Sequence, residues 1–367
     1  MPKFEILRKI VYSLSLIVLL SLILMECRDF LYPIALAILF AYLLYPVGHF
    51  LETKGIPRIL ANVLCILLLV VVVGGVLYFI SHQVGKLTSN WEEMKQQAMD
   101  NIDSMEERLG RPLAEMIAPG PGHLSDVLLD SLEAGGNTLK TLFTATTGTV
   151  TKMALMPIYI FMLLYYRTKL YEFMLEIMPD RYSDRTKNIV LKVSYVMRNY
   201  IGGVFVVVLI LSIVNSAGLA IIGLKYAIFF GVVSAIMNFI PYFGTLLGGG
   251  IALLAALLLN SDPGVALWTL LFFIVIQFVE NNILTPNITG GYVQINPLFT
   301  ILGIVLGGLA WGIPGMFLVV PFLAVIKIIC DHTAMLRPVG KLIGKGGTGE
   351  HELTIKKVNR FFHRSKH

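Results

Sequence analysis

Charge is scarce in this sequence: Asp, Glu, Lys and Arg make up 14% of its 367 residues, against 56% hydrophobic residues. A soluble globular surface carries about a quarter charged residues, so a soluble single domain is excluded. Cysteine is scarcer still. Cys27, Cys65 and Cys330 lie far apart, each in or beside an apolar segment; they exclude a disulfide framework and read as small packing residues. Catalytic signatures are missing too. There is no G-x-S-x-G elbow, no H-E-x-x-H and no pair of intramembrane aspartates, so an enzyme is not expected. GKLIGKGGTGE at 340–350 lacks the residue order of a phosphate loop and follows no strand, which leaves a flexible cytoplasmic linker. His363 and His367 have helical metal spacing but end a basic tail, and NIT at 287–289 is a weak glycosylation sequon. Neither metal nor cofactor is expected.

What the chain has in quantity is long apolar runs, at about 10–26, 30–50, 58–83, 148–166, 201–224, 225–260, 264–284 and 296–330. These define an all-α polytopic membrane protein in contact with lipid. The first run follows Lys3, Arg8 and Lys9 like a signal peptide, but no small-residue cleavage site follows it, Glu26 precedes Cys27, and a second apolar run begins at Phe30. It is therefore expected to stay as an anchor.

The net charge of +6 sits mainly at the two ends and in the loops. That is the pattern of membrane topology rather than of nucleic-acid binding, and no nucleic-acid partner is expected. The N-terminus, the 51–58 loop, residues 167–200 and the tail 331–367 are basic, which places them in the cytoplasm together with both termini. Residues 84–145 hold five Lys/Arg against ten Asp/Glu and should face outward. Within them Val84, Leu87, Trp91, Met94, Ala98, Ile102, Met105 and Leu109 recur at three- and four-residue steps, the seam of a helix packing on another helix. APGPG at 118–122 breaks the seam, and a second amphipathic stretch follows. A helical hairpin packed on itself, or a contact between protomers, accounts for the pair. Ile189, Val193, Val196, Met197 and Tyr200 share one face of a helix read as lying at the membrane surface. The expected divisions are 1–83 with three crossings, an outer insertion 84–147, a fourth crossing and surface helix 148–200, a transport core 201–330, and the tail.

Two runs are too long for one crossing. Each has about 35 residues, roughly 53 Å as a straight helix against a hydrocarbon core of about 30 Å. Pro241 stands near the midpoint of the first, within NFIPYFGTLLGGG, and Pro314 near that of the second, within GIPG. Each is read as two half-helices folded at a Pro/Gly tip, a hairpin that enters the membrane and returns. The chain then has six full crossings and two re-entrant hairpins, or eight transmembrane helices counted simply. Each hairpin follows a crossing with polar residues near its C-terminal part: Asn215 and Ser216 in one unit, Gln277, Glu280, Asn281 and Asn282 in the other. Two such units form a candidate inverted repeat, the arrangement that puts a transport site near the midplane. Irregular backbone at membrane depth belongs beside protein or water, so Asn238, Pro241, Tyr242, Phe243, Gly244, Gly312, Pro314 and Gly315 are expected to line the path. Close packing is the alternative, since Gly244/Gly248, Gly303/Gly307 and Gly308/Gly312 have G-x-x-x-G spacing. Glu280, the one acidic residue between Pro263 and Cys330, could hold a proton or cation, or could cap a helix near the interface.

NFIPYFGTLLGG, followed by QFVENNILTPNITGGYVQINPLFTILGIVLGGLAWGIPGMFLVVPFLAVI, resembles the autoinducer-2 exporter family of bacterial and archaeal transporters. The motif match covers about 225–330, and the layout of segments fits nearly the whole chain. The resemblance implies an oligomeric permease of the cytoplasmic membrane that exports autoinducer-2 in some members and sodium or lithium against protons in others. Pro241, Tyr242, Phe243 and Gly244 match the first motif. Gln277, Glu280, Asn281, Pro286, Pro297, Gly308, Gly312, Gly315 and Pro321 match the second. Thr245 stands where the family often has proline, and Asn296 where it often has histidine, which leaves any proton coupling more dependent on Glu280.

Overall fold

The computed structural model describes residues 2–109, 155–241, 243–260, 262–289 and 291–345. Tyr242, the second amphipathic stretch of the outer insertion, the start of the fourth apolar run, and His363 and His367 lie outside them. Every regular element among the described residues is a helix, and the one β feature is an isolated antiparallel bridge between Ile295 and Gly344. Five helices are long and apolar enough to cross a membrane, as the composition requires of a polytopic membrane protein.

In chain order the helices are α1 (Pro2–Glu26), α2 (Arg28–Thr53), α3 (Arg58–Ser89), α4 (Trp91–Leu109), α5 (Met156–Tyr165), α6 (Arg167–Glu176), α7 (Ser183–Ile222) and α8 (Ala227–Met237). There follow α9 (Phe243–Leu259), α10 (Pro263–Val279), a wide π turn (Glu280–Leu284), α11 (Thr285–Thr289), α12 (Pro297–Trp311), α13 (Ile313–His332) and α14 (Arg337–Ile343). They fall into two compact units. One holds Met1–Leu170 with Arg198–Gly290, the other Tyr171–Met197 with Gly291–His367.

Helix starts are written in the sequence. Asp262 and Asn296 each precede a proline, and each side chain accepts a hydrogen bond from the backbone N–H two residues on, at 2.8 Å from Gly264 and 3.0 Å from Leu298. An Asx cap followed by proline satisfies one orphan amide and removes another, so α10 and α12 begin there.

In the first unit α3 runs 32 residues, about 48 Å, longer than the roughly 30 Å of a hydrocarbon core. Part of the outer seam packs on helices later in the chain. Val84, Leu87, Met94 and Ala98 join a cluster with Leu224, Ala227, Ala252, Ala255 and Leu259, so α4 and the end of α3 pack on α8 and α9. Amphipathic spacing shows that a face is covered; it does not say by what. Polar ties reinforce the contact: Asn101 Nδ2 donates to Leu258 O at 3.0 Å, and Lys225 Nζ to Gln97 Oε1 at 2.6 Å.

In the second unit the face of Ile189, Val193 and Val196, read from sequence as a membrane-surface helix, forms the opening turns of α7. It is covered by Ile295, Ala324, Ile328 and Ile343. α12 and α13 lie antiparallel. A Cβ on Gly303 would meet Val319 and Leu323, and one on Gly307 would lie 2.7 Å from Gly315 O, so the glycines set the helix separation. The halves are unequal, at 15 and 20 residues, and α13 by itself has the length to span. The reversal falls on Gly312 (φ 66, ψ −143), while Pro314 sits in the first turn of α13. Proline is tolerated at a helix start, whereas that φ/ψ pair is open essentially to glycine alone, so Gly312 makes the break.

Candidate functional site

The site is built on α7, α8, α9 and α10 of the first unit. α8 is short because Asn238 to Pro241 leave the helix, with backbone bonds at the spacing of tight turns from Asn238, Phe239 and Ile240 to Ala235, Ile236 and Met237. One face of α8 carries Gly231, Ser234 and Asn238, at i, i+3 and i+7. Each meets a different neighbour.

Gly231 lies so close to α7 that a Cβ there would stand 2.5 Å from Ser216 Cα. Asn215, 2% exposed, donates from Nδ2 to Ser234 Oγ at 2.9 Å, and Ser234 passes its own proton to Gly231 O at 2.9 Å. The Asn215 Oδ1 is buried with no hydrogen-bond partner. From the other side α9 closes on the same face. A Cβ on Gly248 would lie 2.5 Å from Ser234 Cα, and one on Gly244 would collide with Asn238. The G-x-x-x-G spacing thus does two things at once: it brings helices together and brings backbone beside buried polar groups.

Asn238, at the end of α8, donates from Nδ2 to Glu280 Oε2 at 3.2 Å. Glu280 is half-buried and opens the π turn that follows α10, where Thr285 N–H bonds back five residues to Glu280 O. A π turn inserts an extra residue into a helix and recurs at functional sites. The structure therefore joins the Pro/Gly break of α8 and α9 to the irregular end of α10 through an amide and a carboxylate. Beyond the turn, Gly203 of α7 brings a would-be Cβ to 3.1 Å from Ile288 O.

The remaining residues singled out in the sequence are dispersed. Gln277 is half-buried. Asn281 and Asn282 are exposed on the chain's surface, and Asn282 turns its amide back to Phe278 O at 2.8 Å. Ser216 is half-buried, with a long 3.4 Å bond to Ile228 O. Pro241 is half-buried in the break, and Phe243 opens α9. Gly312, Pro314 and Gly315 belong to the second unit, where Gly315 seats against Gly307 and Trp311. Asn296, where the family often has histidine, caps α12. Ser234 was passed over in the sequence. It sits in an apolar run, and only its helical spacing to Gly231 and Asn238 marks it. No cluster of three His, Cys, Asp or Glu side chains suited to a metal occurs among the described residues.

Comparison with known proteins gives this arrangement its setting. Residues 13–335 match the AI-2E transporter family. The chain is 26% identical over 320 residues to YrrI of Bacillus subtilis, covering 83% of this chain and 87% of that protein. It is 28% identical over 310 residues to YueF of the same organism, covering 81% and 82%. To the AI-2 transport protein TqsA of Escherichia coli it is 24% identical over 334 residues, covering 89% and 92%. The match begins inside the first apolar helix, takes in every helix of the candidate site and ends just past α13; the chain belongs to the AI-2E family of transporters.

Proposed function

We propose that the protein is a secondary transporter of the cytoplasmic membrane that exchanges a small solute for protons or sodium through the α7–α10 site. The observation that carries this reading is the Asn238–Glu280 hydrogen bond, which ties the break between α8 and α9 to the π turn after α10. An ionised carboxylate accepts the amide proton in a charge-assisted bond. Protonation, or a bound cation, removes that advantage and frees the tip. Glu280 thereby links ion occupancy to the position of the α8–α9 pair, the coupling that alternating access requires. Asn215 Oδ1 of α7, buried where α7 meets that face of α8, offers an unused acceptor to a passing solute.

In this reading the α8–α9 and α12–α13 pairs are re-entrant, the two halves form an inverted repeat, both termini face the cytoplasm and the protein works as a homo-oligomer. The cargo in this reading is a small solute or signalling molecule, a choice supported by the AI-2 transport protein name of the Escherichia coli relative, with sodium or lithium exchanged for protons as the alternative. A passive channel and a membrane scaffold are the readings from other classes.

The test is reconstitution in liposomes loaded with a pH dye. Sodium, lithium and autoinducer-2 are applied in turn against an imposed proton gradient, beside Glu280→Gln. A solute-dependent proton flux that the variant loses supports coupled transport and names the cargo. Equal flux in the variant removes Glu280 from the mechanism. Labelled solute that crosses without saturation or gradient dependence indicates a channel, and no movement of any solute indicates a scaffold.

A further inference from the structure

GKLIG at 340–344, read from sequence as part of a linker, is held in place within the second unit. It closes α14, whose last residues fold onto both α13 and the approach to α12. A Cβ on Gly340 would collide with Asp331, and one on Gly344 would lie 2.9 Å from Lys327 Cε. Rising numbers on α14 thus meet falling numbers on α13, so α14 runs back along the last turns of its neighbour. Asn296 N–H donates to Ile343 O at 2.8 Å beside the Ile295–Gly344 bridge, and Ile343 is buried with Ile295, Ala324 and Ile328.

This packing fixes the depth of α14. α13 is long and apolar enough to cross a membrane and carries no charge from Ile313 to Ile326. Lys327 and Asp331 then pair at 2.6 Å, which marks where the helix leaves hydrocarbon. α14 lies level with that pair, at the boundary between membrane and water. The packing also fixes which faces look outward. With Gly340 and Ile343 buried, Val339 and Leu342 stand exposed on one flank, at 43% and 63%, and Arg337 and Lys341 are exposed on the other. An apolar flank and a basic flank at this depth fit the acyl boundary and the phosphates of a bilayer.

Charge decides among the possible occupants. Residues 346–367 carry five Lys/Arg against two Glu, so the chain's own end repels Arg337 and Lys341. A second copy set face to face would bring the same cations together. We propose that the exposed surface of α14 docks anionic phospholipid, with Arg337 and Lys341 on the headgroup phosphates and Val339 and Leu342 against the acyl chains. A headgroup held there bears on the start of α12 through Ile343 and Gly344, apart from Glu280 and whatever the cargo is.

The test uses the full chain in liposomes of mixed phosphatidylcholine and phosphatidylglycerol. A fluorophore is placed on Leu342→Cys, and a nitroxide quencher on the acyl chains of one lipid or the other. Cys27, the exposed native thiol, is removed as Cys27→Ser, while Cys65 and Cys330 are buried. Nitroxide on phosphatidylglycerol is expected to quench about twofold or more beyond the same label on phosphatidylcholine. Arg337→Gln with Lys341→Gln should bring the two lipids to parity, and Arg337→Lys with Lys341→Arg should keep the preference; both positions are exposed, so the fold is spared. A fluorophore on Leu68→Cys, on the exposed apolar surface of α3, is the reference and should be quenched equally by both lipids. No quenching at position 342 by either lipid means that protein covers the face, and overturns the proposal. So does equal quenching by the two lipids, or a preference that survives the double glutamine variant.

Discussion

A methyl group placed on Gly248 measures how tightly α9 is held to the polar face of α8. The added Cβ would lie 2.5 Å from Ser234 Cα, 2.7 Å from its Cβ and 3.2 Å from its O. Carbon atoms prefer about 3.5–4.0 Å, so α9 has to retreat by about 1 Å, and backbone cannot swing aside as a side-chain tip can. Overpacking of this kind costs about 1–3 kcal/mol. Replacing a mid-helix glycine by alanine returns about 0.5–1 kcal/mol in backbone entropy. The net loss for Gly248→Ala is then about 0–2.5 kcal/mol. Gly250, two residues along the same helix, has nothing within 4 Å of its built Cβ. Gly250→Ala therefore keeps the entropic gain without the clash, and the two variants should move in opposite directions. Denaturant titration in detergent, followed by tryptophan fluorescence, reads both against the native protein. Gly248→Ala should also slow transport, because Ser234 takes the Asn215 hydrogen bond from the same face. A Gly248→Ala protein as stable as Gly250→Ala would refute the argument that glycine holds these helices at contact distance.

Three further outcomes are expected. Gly312→Ala should cost about 1–3 kcal/mol by the same titration although nothing crowds its Cβ, because the φ/ψ pair at the α12–α13 break is closed to other residues. Asn101→Ala should cost about 1–3 kcal/mol and speed amide exchange at 251–259, since its buried amide serves a carbonyl at the end of α9. Asn296→Ala should lose about 0.5–2 kcal/mol with the N-cap of α12, measured by the same unfolding assay, while Asn296→Asp should retain most of it.

Much of the architecture was legible because membrane constraints are one-dimensional. Apolar length against bilayer thickness located the helices, and Pro241 and the Gly312–Pro314 stretch located the two breaks. The Asx-Pro pairs at 262–263 and 296–297 set helix starts whatever packs around them, since the cap bonds are local. Glu280 stood out by charge alone, because a lone carboxylate in an apolar run needs a reason.

What sequence could not supply was partnership. The seam from Val84 to Ala98 announced a buried face, yet whether another outer helix, another protomer or the α8–α9 pair covers it depends on chain paths that no local pattern encodes. Ile189 to Val196 likewise read as a lipid-facing surface because apolar side chains look the same to lipid and to protein. Among Gln277, Glu280, Asn281 and Asn282 charge alone marked Glu280; only the structure shows the π turn and the reach of Asn238 at that carboxylate, and leaves Asn282 bonded to its own helix. Sequence alone determined that this is a helical membrane protein with two broken runs and one conspicuous carboxylate, since those features follow from local chemistry and length. Only the tertiary structure decided which glycine turns the chain, which serine carries the buried polar bond and which amide meets the carboxylate, because those depend on distances across helices far apart in sequence.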